Sequence, residues 1–244
     1  MNTYRRTATI VGVLYIVGTV AGILSGAFTQ STLSDPDYLS KVSANESQIV
    51  IGTLFLLTMS LALAMVPVML FPILKKQNEI LAIGYVVFRG ALEAVVGIIM
   101  AISQLLLILV SQQYAADVHN ASHFQNLGAF VLKGNDSINP VLIITFSLGA
   151  LILYTMFYQS RLIPRWISVW GFAAILLHFS TAFLILFHVV RSDDMSTLLT
   201  FNFPIFLQEM VMAVWLIAKG FNSSAITAKS TSVNTNELQM STAK

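Results

Sequence analysis

Six apolar blocks, each about twenty residues or longer, constrain this chain more than any other feature. They run over Thr7 to Phe28, Gln48 to Leu74, Ile80 to Gln112, Ile138 to Tyr158, Trp166 to Val189 and Leu198 to Ala218. About 20 consecutive apolar residues are needed to carry a helix across roughly 30 Å of hydrocarbon. In lipid a backbone must satisfy its own hydrogen bonds, so runs of this length fold as helices. The expected fold is therefore all-α, a polytopic membrane bundle of six transmembrane helices over residues 1–220. The Ser-, Thr- and Asn-rich residues 221–244 are expected to form a disordered cytoplasmic tail.

Composition agrees. Hydrophobic residues make up 56% of the chain and charged residues 10%, against roughly 25% charged in an ordinary soluble domain. A net charge of +2 and the absence of any basic run argue against nucleic acid as a partner. With no cysteine there is no disulfide or thiol chemistry.

Charge sets the orientation. Arg5, Arg6, Lys75, Lys76, Arg161, Arg165 and Lys219 flank one face of the six-span bundle. The other face carries Lys41, Lys133 and Arg191 among Asp35, Asp37, Glu46, Asp117, Asp136, Asp193 and Asp194. The positive-inside rule then puts both termini in the cytoplasm, in a cell (plasma) membrane. Trp166, Trp170 and Trp215 fall at the same inner boundary, where aromatic side chains belong.

Between the spans, Gln30 to Ser47 reads as a polar loop in which Ser43 and Glu46 have capping-box spacing. Ser122 to Val131 reads as a short amphipathic helix lying on the membrane or capping the bundle. Pro140 is placed in the first turn of the fourth span, where proline is tolerated.

Within the apolar runs, ionisable residues are rare and costly, and by default they mark a functional site. Arg89 and Glu93 stand one turn apart in Gly84-Tyr-Val-Val-Phe-Arg89-Gly-Ala-Leu-Glu93, and Glu209 stands alone in Phe206-Leu-Gln-Glu-Met. At ~1.5 Å per residue, Arg89 lies roughly 13 Å above Ile80 and Glu209 about 12 Å above Ile217. The matched depths predict a contact between Arg89 and Glu209. Arginine four residues before glutamate is the weaker order of such a pair, which also leaves the guanidinium seeking a second carboxylate. Glu93, Gln104 and Gln208 are expected at this polar centre, joined by His178 from the fifth span. Two carboxylates against one guanidinium leave one negative charge in excess, which a proton or cation would balance. A structural ion pair that fixes helix register is the alternative.

Small residues predict close packing. Gly18, Gly22 and Gly26 recur at four-residue spacing, and Gly90, Ala94 and Gly97 form a stripe beside the polar centre; such strips let helix backbones approach. The first strip also offers a face for self-association or for a membrane partner.

No metal or cofactor is expected. His119 and His123 have i,i+4 spacing but only Asp117 near them, and His178 and His188 share one helix and cannot sandwich a haem. No nucleophile motif or phosphate-binding glycine loop is present. Glu93 and Glu209 could resemble a pair of catalytic acids, but the adjacent arginine argues against it. The reading favours a non-enzyme.

Several collinear stretches carry a family resemblance. Ala44-Asn-Glu46-Ser-Gln48, the Gly84–Ala94 segment, Arg161-Leu-Ile-Pro-Arg165-Trp-Ile-Ser-Val-Trp170-Gly171 and Leu207-Gln-Glu209 through Phe221 resemble the bacterial membrane-protein family known as domain of unknown function 4386. The resemblance implies a bacterial six-span membrane protein and implies no activity. Two functions remain: a small transporter or ligand- or proton-responsive membrane protein built on Arg89, Glu93 and Glu209, or a non-catalytic structural or assembly component of a membrane complex.

Overall fold

A computed structural model describes residues 3–191, 195–222 and 224–225. The loop acids Asp193 and Asp194 and the tail segment 226–244 lie outside the described residues. The described chain is helical: α1 (Thr3–Leu33), α2 (Tyr38–Ala44), α3 (Glu46–Leu74), α4 (Glu79–Tyr85), α5 (Glu93–Ala116), α6 (Ala121–Ser160), α7 (Arg165–Leu186) and α8 (Met195–Ala218). Between α4 and α5 the helix continues without a break as a seven-residue π-helical segment, Val86–Leu92. Six of these stretches are long and apolar enough to cross a membrane: α1, α3, the composite Glu79–Ala116, α6, α7 and Leu199–Ala218 of α8.

Side chains such as Val20, Leu54, Leu61, Leu109, Leu176 and Val214 point outward and are largely exposed, as expected where the surroundings are lipid rather than water. The larger core cluster joins α1, α3, α4, α6, α7 and α8 in the half of the bundle that carries the start of α1 and the end of α8, through Tyr15, Leu70, Tyr85, Leu153, Phe157 and Leu216 among others. Arg5 closes this half: its Nη2 donates to the carbonyls of Ile217 at 2.6 Å and Ala218 at 3.0 Å. Those carbonyls end a helix and have no intrahelical partner, so the guanidinium joins the start of α1 to the end of α8.

A second cluster closes the opposite half, where Leu39 and Val42 of α2 pack on Leu107, Ile108 and Val110 of α5, with Phe124 and Val131 of α6 against them. Here the structure corrects four expectations. The amphipathic stretch 122–131 does cap the bundle, but as the first turns of a continuous 40-residue α6 rather than as a separate helix. Pro140 is consequently interior to that helix. Residues Gln30 to Ser47 are mostly helical, with α1 running on to Leu33 and Ser43 inside α2. The capping box does not form: Asn45 stands at the α3 N-cap without a side-chain cap bond, and Glu46 instead accepts from Gln112 Nε2 at 2.9 Å.

The glycine strip of α1 is occupied within the chain. A Cβ on Gly18 would meet Leu63 Cδ2 at 2.7 Å, and one on Gly22 would meet Met59 Sδ at 2.6 Å, both on α3; Gly26 has nothing within 4 Å. A glycine not singled out in the sequence, Gly12, makes the other close approach of α1, with a Cβ there meeting the Ala213 carbonyl of α8 at 2.6 Å.

Candidate functional site

Between the two clusters the apolar interior is interrupted by charge. Arg89 sits within the π-helical segment, and π turns inside α-helices are frequent at functional sites. Two glycines let neighbouring helices close on that segment: Gly90 faces Pro67 of α3, and Gly149 of α6 lies directly on the Arg89 backbone.

The expected contact between Arg89 and Glu209 is present. Arg89 Nη1 donates to both carboxylate oxygens of Glu93 at 2.7 Å, and Nη2 donates to Glu209 Oε1 at 3.2 Å. Aromatic faces complete the enclosure, since the guanidinium carbon lies 4.2 Å from the Phe146 ring centroid and 5.9 Å from that of Tyr15. Such faces favour a cation electrostatically. Tyr15 in turn meets Tyr85, hydroxyl to hydroxyl, at 3.5 Å.

The ion cluster forms one end of a cavity of about 300 Å3. Its polar lining includes Glu93, Glu209, His178, Asn202, Asn139 and Ser60, and its apolar lining includes Leu63, Leu142, Ile205 and Phe206. Depth above the terminus-bearing face, counted at ~1.5 Å per residue from the helix ends, is roughly 14 Å for Glu209, 20 Å for His178, 24 Å for Asn202 and 32 Å for Asn139. The polar groups therefore rise from the middle of the bundle toward the face opposite the termini. His178 Nδ1 and Asn202 Oδ1 are 2.7 Å apart, and the imidazole meets Phe146 edge-on at 5.1 Å.

Exposure separates the three charged groups. The Arg89 side chain is 2% exposed, whereas Glu93 and Glu209 are 12% and 13% exposed. All three groups line the cavity, and the two carboxylates present more of their surface than the guanidinium does.

Two residues expected at this centre serve elsewhere. Gln104 is buried on the same helix but accepts from Thr53 Oγ1 at 2.8 Å, tying α5 to α3. Eleven residues beyond Glu93, it lies about 16 Å further along the axis. Gln208 points away from its neighbour Glu209: its Oε1 accepts from the Tyr154 hydroxyl at 2.6 Å, and its Nε2 donates to the Ile167 carbonyl at 3.1 Å. It joins α6, α7 and α8. In the small-residue stripe, Gly97 packs on Ser60 and Gly90 on Pro67, while Ala94 is half-buried beside Glu93. The sequence reading missed Asn139, Asn202, Phe146 and Gly149; an asparagine inside an apolar run was the available signal for Asn202.

Fold and site together define a polytopic, all-helical integral membrane protein with a charged cavity inside its bundle. The chain belongs to the family described as domain of unknown function 4386, which it matches over residues 10–220. Neither the curated proteins nor the solved structures provide a match.

Proposed function

We propose that this protein binds a small cationic ligand, or a proton, inside the membrane, and works as a small transporter or a ligand-responsive membrane protein. One observation carries the reading: two carboxylates share one guanidinium at the cavity wall, and the carboxylates are the more exposed of the three groups. Charge counting leaves the cavity one negative charge in excess. A buried, unbalanced charge is costly, so a positive occupant is favoured over a neutral or anionic one. The rising line of His178, Asn202 and Asn139 supplies neutral polar contacts on a route from the face opposite the termini.

The same reading places the protein in a bacterial plasma membrane with both termini cytoplasmic. Its support is the concentration of Arg5, Arg6, Lys75, Lys76, Arg161, Arg165 and Lys219 on the terminus-bearing face. The alternative, an assembly component, draws less support, because Gly18 and Gly22 are covered by α3 of the same chain.

The test is Glu209→Gln in detergent, followed by thermal unfolding. Removing the excess charge is expected to leave the unliganded protein as stable or more stable, while abolishing stabilisation by added ammonium-type cations. A loss of about 3–5 kcal/mol, as when one partner of a needed buried ion pair is deleted, would instead make the cluster a structural lock and overturn the proposal.

A further inference from the structure

The turn between α6 and α7 and the end of α8 enclose a second cavity, about 430 Å3, on the terminus-bearing face. Local backbone builds it. Arg161 caps α6 in the left-handed conformation, with φ 57°. Pro164 stands at the α7 N-cap, and the Asn222 N–H donates to the Leu162 carbonyl at 2.9 Å, tying the chain beyond α8 to the turn. The walls carry Arg161, Arg165 and Lys219 and no carboxylate.

Three other cations on this face are engaged within the chain. Arg5 holds the α8 carbonyls, Lys76 donates to the Tyr4 hydroxyl at 2.9 Å, and Lys75 lies over the Phe71 ring. In the cavity, Arg165 stacks 4.9 Å from the Tyr158 ring centroid, which leaves the edge of its guanidinium open to an acceptor. The side chains of Arg161 and Lys219 have no hydrogen-bond, ion-pair or ring partner among the described residues. The cavity also adjoins the N-terminal end of α7, where first-turn N–H groups lack intrahelical acceptors and favour an anion. Trp215 and Phe221 in its walls suit the depth of lipid headgroups.

We propose that this cavity binds a phosphate-bearing anion, supplied as the headgroup of an anionic phospholipid. Three cations without a carboxylate match a phosphodiester of net negative charge. They offer nothing to the ammonium of a zwitterionic headgroup. Basic pockets between helix ends are a recurrent form of such recognition.

The full chain, purified in neutral detergent, is assayed by native mass spectrometry and thermal unfolding with phosphatidylglycerol, phosphatidylcholine or inorganic phosphate. Phosphatidylglycerol is expected to be retained and to raise Tm, and phosphatidylcholine is not. Arg161→Asn with Lys219→Gln is expected to weaken that retention roughly tenfold or more; asparagine suits the left-handed position, and Lys219→Gln alone should give part of the loss. Lys75→Gln with Lys76→Gln removes as much charge from the same face outside the cavity and should change nothing. Equal loss in that control would reduce the effect to general surface attraction and overturn the proposal. An equal response to inorganic phosphate, with competition against the lipid, would assign the cavity to a soluble anion and overturn the lipid source.

Discussion

Gly149 of α6 rests on the backbone of Arg89. A Cβ placed on the glycine would stand 2.9 Å from the Arg89 Cβ and 3.0 Å from its backbone nitrogen. The absence of one side chain on α6 thus lets a neighbouring backbone close on the π-helical segment and hold Arg89 where it meets both glutamates. From the other side Pro67 of α3 presses on Gly90.

Gly149→Ala is accordingly expected to destabilise the protein by about 1–3 kcal/mol, the usual cost of overpacking a filled interior. The nearest atoms are the Arg89 Cβ and the backbone that fixes it, which cannot swing aside. Thermal unfolding in detergent measures it, with Gly134→Ala as comparison, since a Cβ there meets nothing within 4 Å.

Arg89→Met removes the only cation from a site holding two carboxylates and should cost about 3–5 kcal/mol. Combined with Glu93→Gln and Glu209→Gln, the same change should recover much of that loss, because no unpaired charge then remains. Comparing the single and triple variants by thermal unfolding separates stranded charge from lost packing. A triple variant no more stable than the single would refute this account.

The α1 glycines should differ in a fixed order. Gly18→Ala meets the branched Leu63 and costs most; Gly22→Ala meets the flexible Met59 and costs less; Gly26→Ala meets nothing and is neutral. The first two losses are expected at about 1–3 kcal/mol or above. Light scattering should show unchanged particle mass for all three, since the neighbour being displaced is α3 of the same chain.

Tyr154→Phe strands the Gln208 Oε1 that accepts its hydroxyl. Inside a membrane bundle such a bond is worth roughly 0.6–2 kcal/mol, and a loss in that range is expected. The ligand response of the cavity should survive, because Gln208 faces the α6–α7–α8 core.

At the opposite face, Asp35 accepts from Lys41, and this hydrogen bond holds its carboxyl below the ordinary aspartate range. A carboxyl whose folded pKa is depressed contributes stability above its unfolded value, about 3.9, and loses it as pH falls through the folded value. Amide exchange in α2 should therefore quicken only in strong acid. Lys41→Gln should move the onset upward, as an NMR titration of Asp35 would show.

The spans were legible because crossing length depends only on how long an apolar run lasts. The Arg89–Glu209 contact was legible because axial depth can be counted in residues. Gln104 misled for the same reason: it shares a face with Glu93 but not a depth. The π-helical segment leaves no pattern of residue types, since it is a change in backbone hydrogen-bond register. Nor did Gly149 stand out in Ser147-Leu-Gly-Ala, where its partner lies on another helix. The stretch Ser122 to Val131 read as a helix separate from the fourth span because nothing in it announces that α2 and α5 cover its apolar side.

The clasp between Arg5 and the carbonyls of Ile217 and Ala218 joins α1 to α8, the outermost of the described helices along the chain. At roughly 5–20 residues per second of synthesis, α1 waits on the order of 10–40 s before α8 leaves the ribosome. Until then Gly12 has no Ala213 to face, and the flank of α1 destined for α8 is open to lipid and to passing helices. The glycines that seat α1 on α3 matter most in that interval, because a hairpin already closed keeps the unfinished chain from taking a stranger as its neighbour.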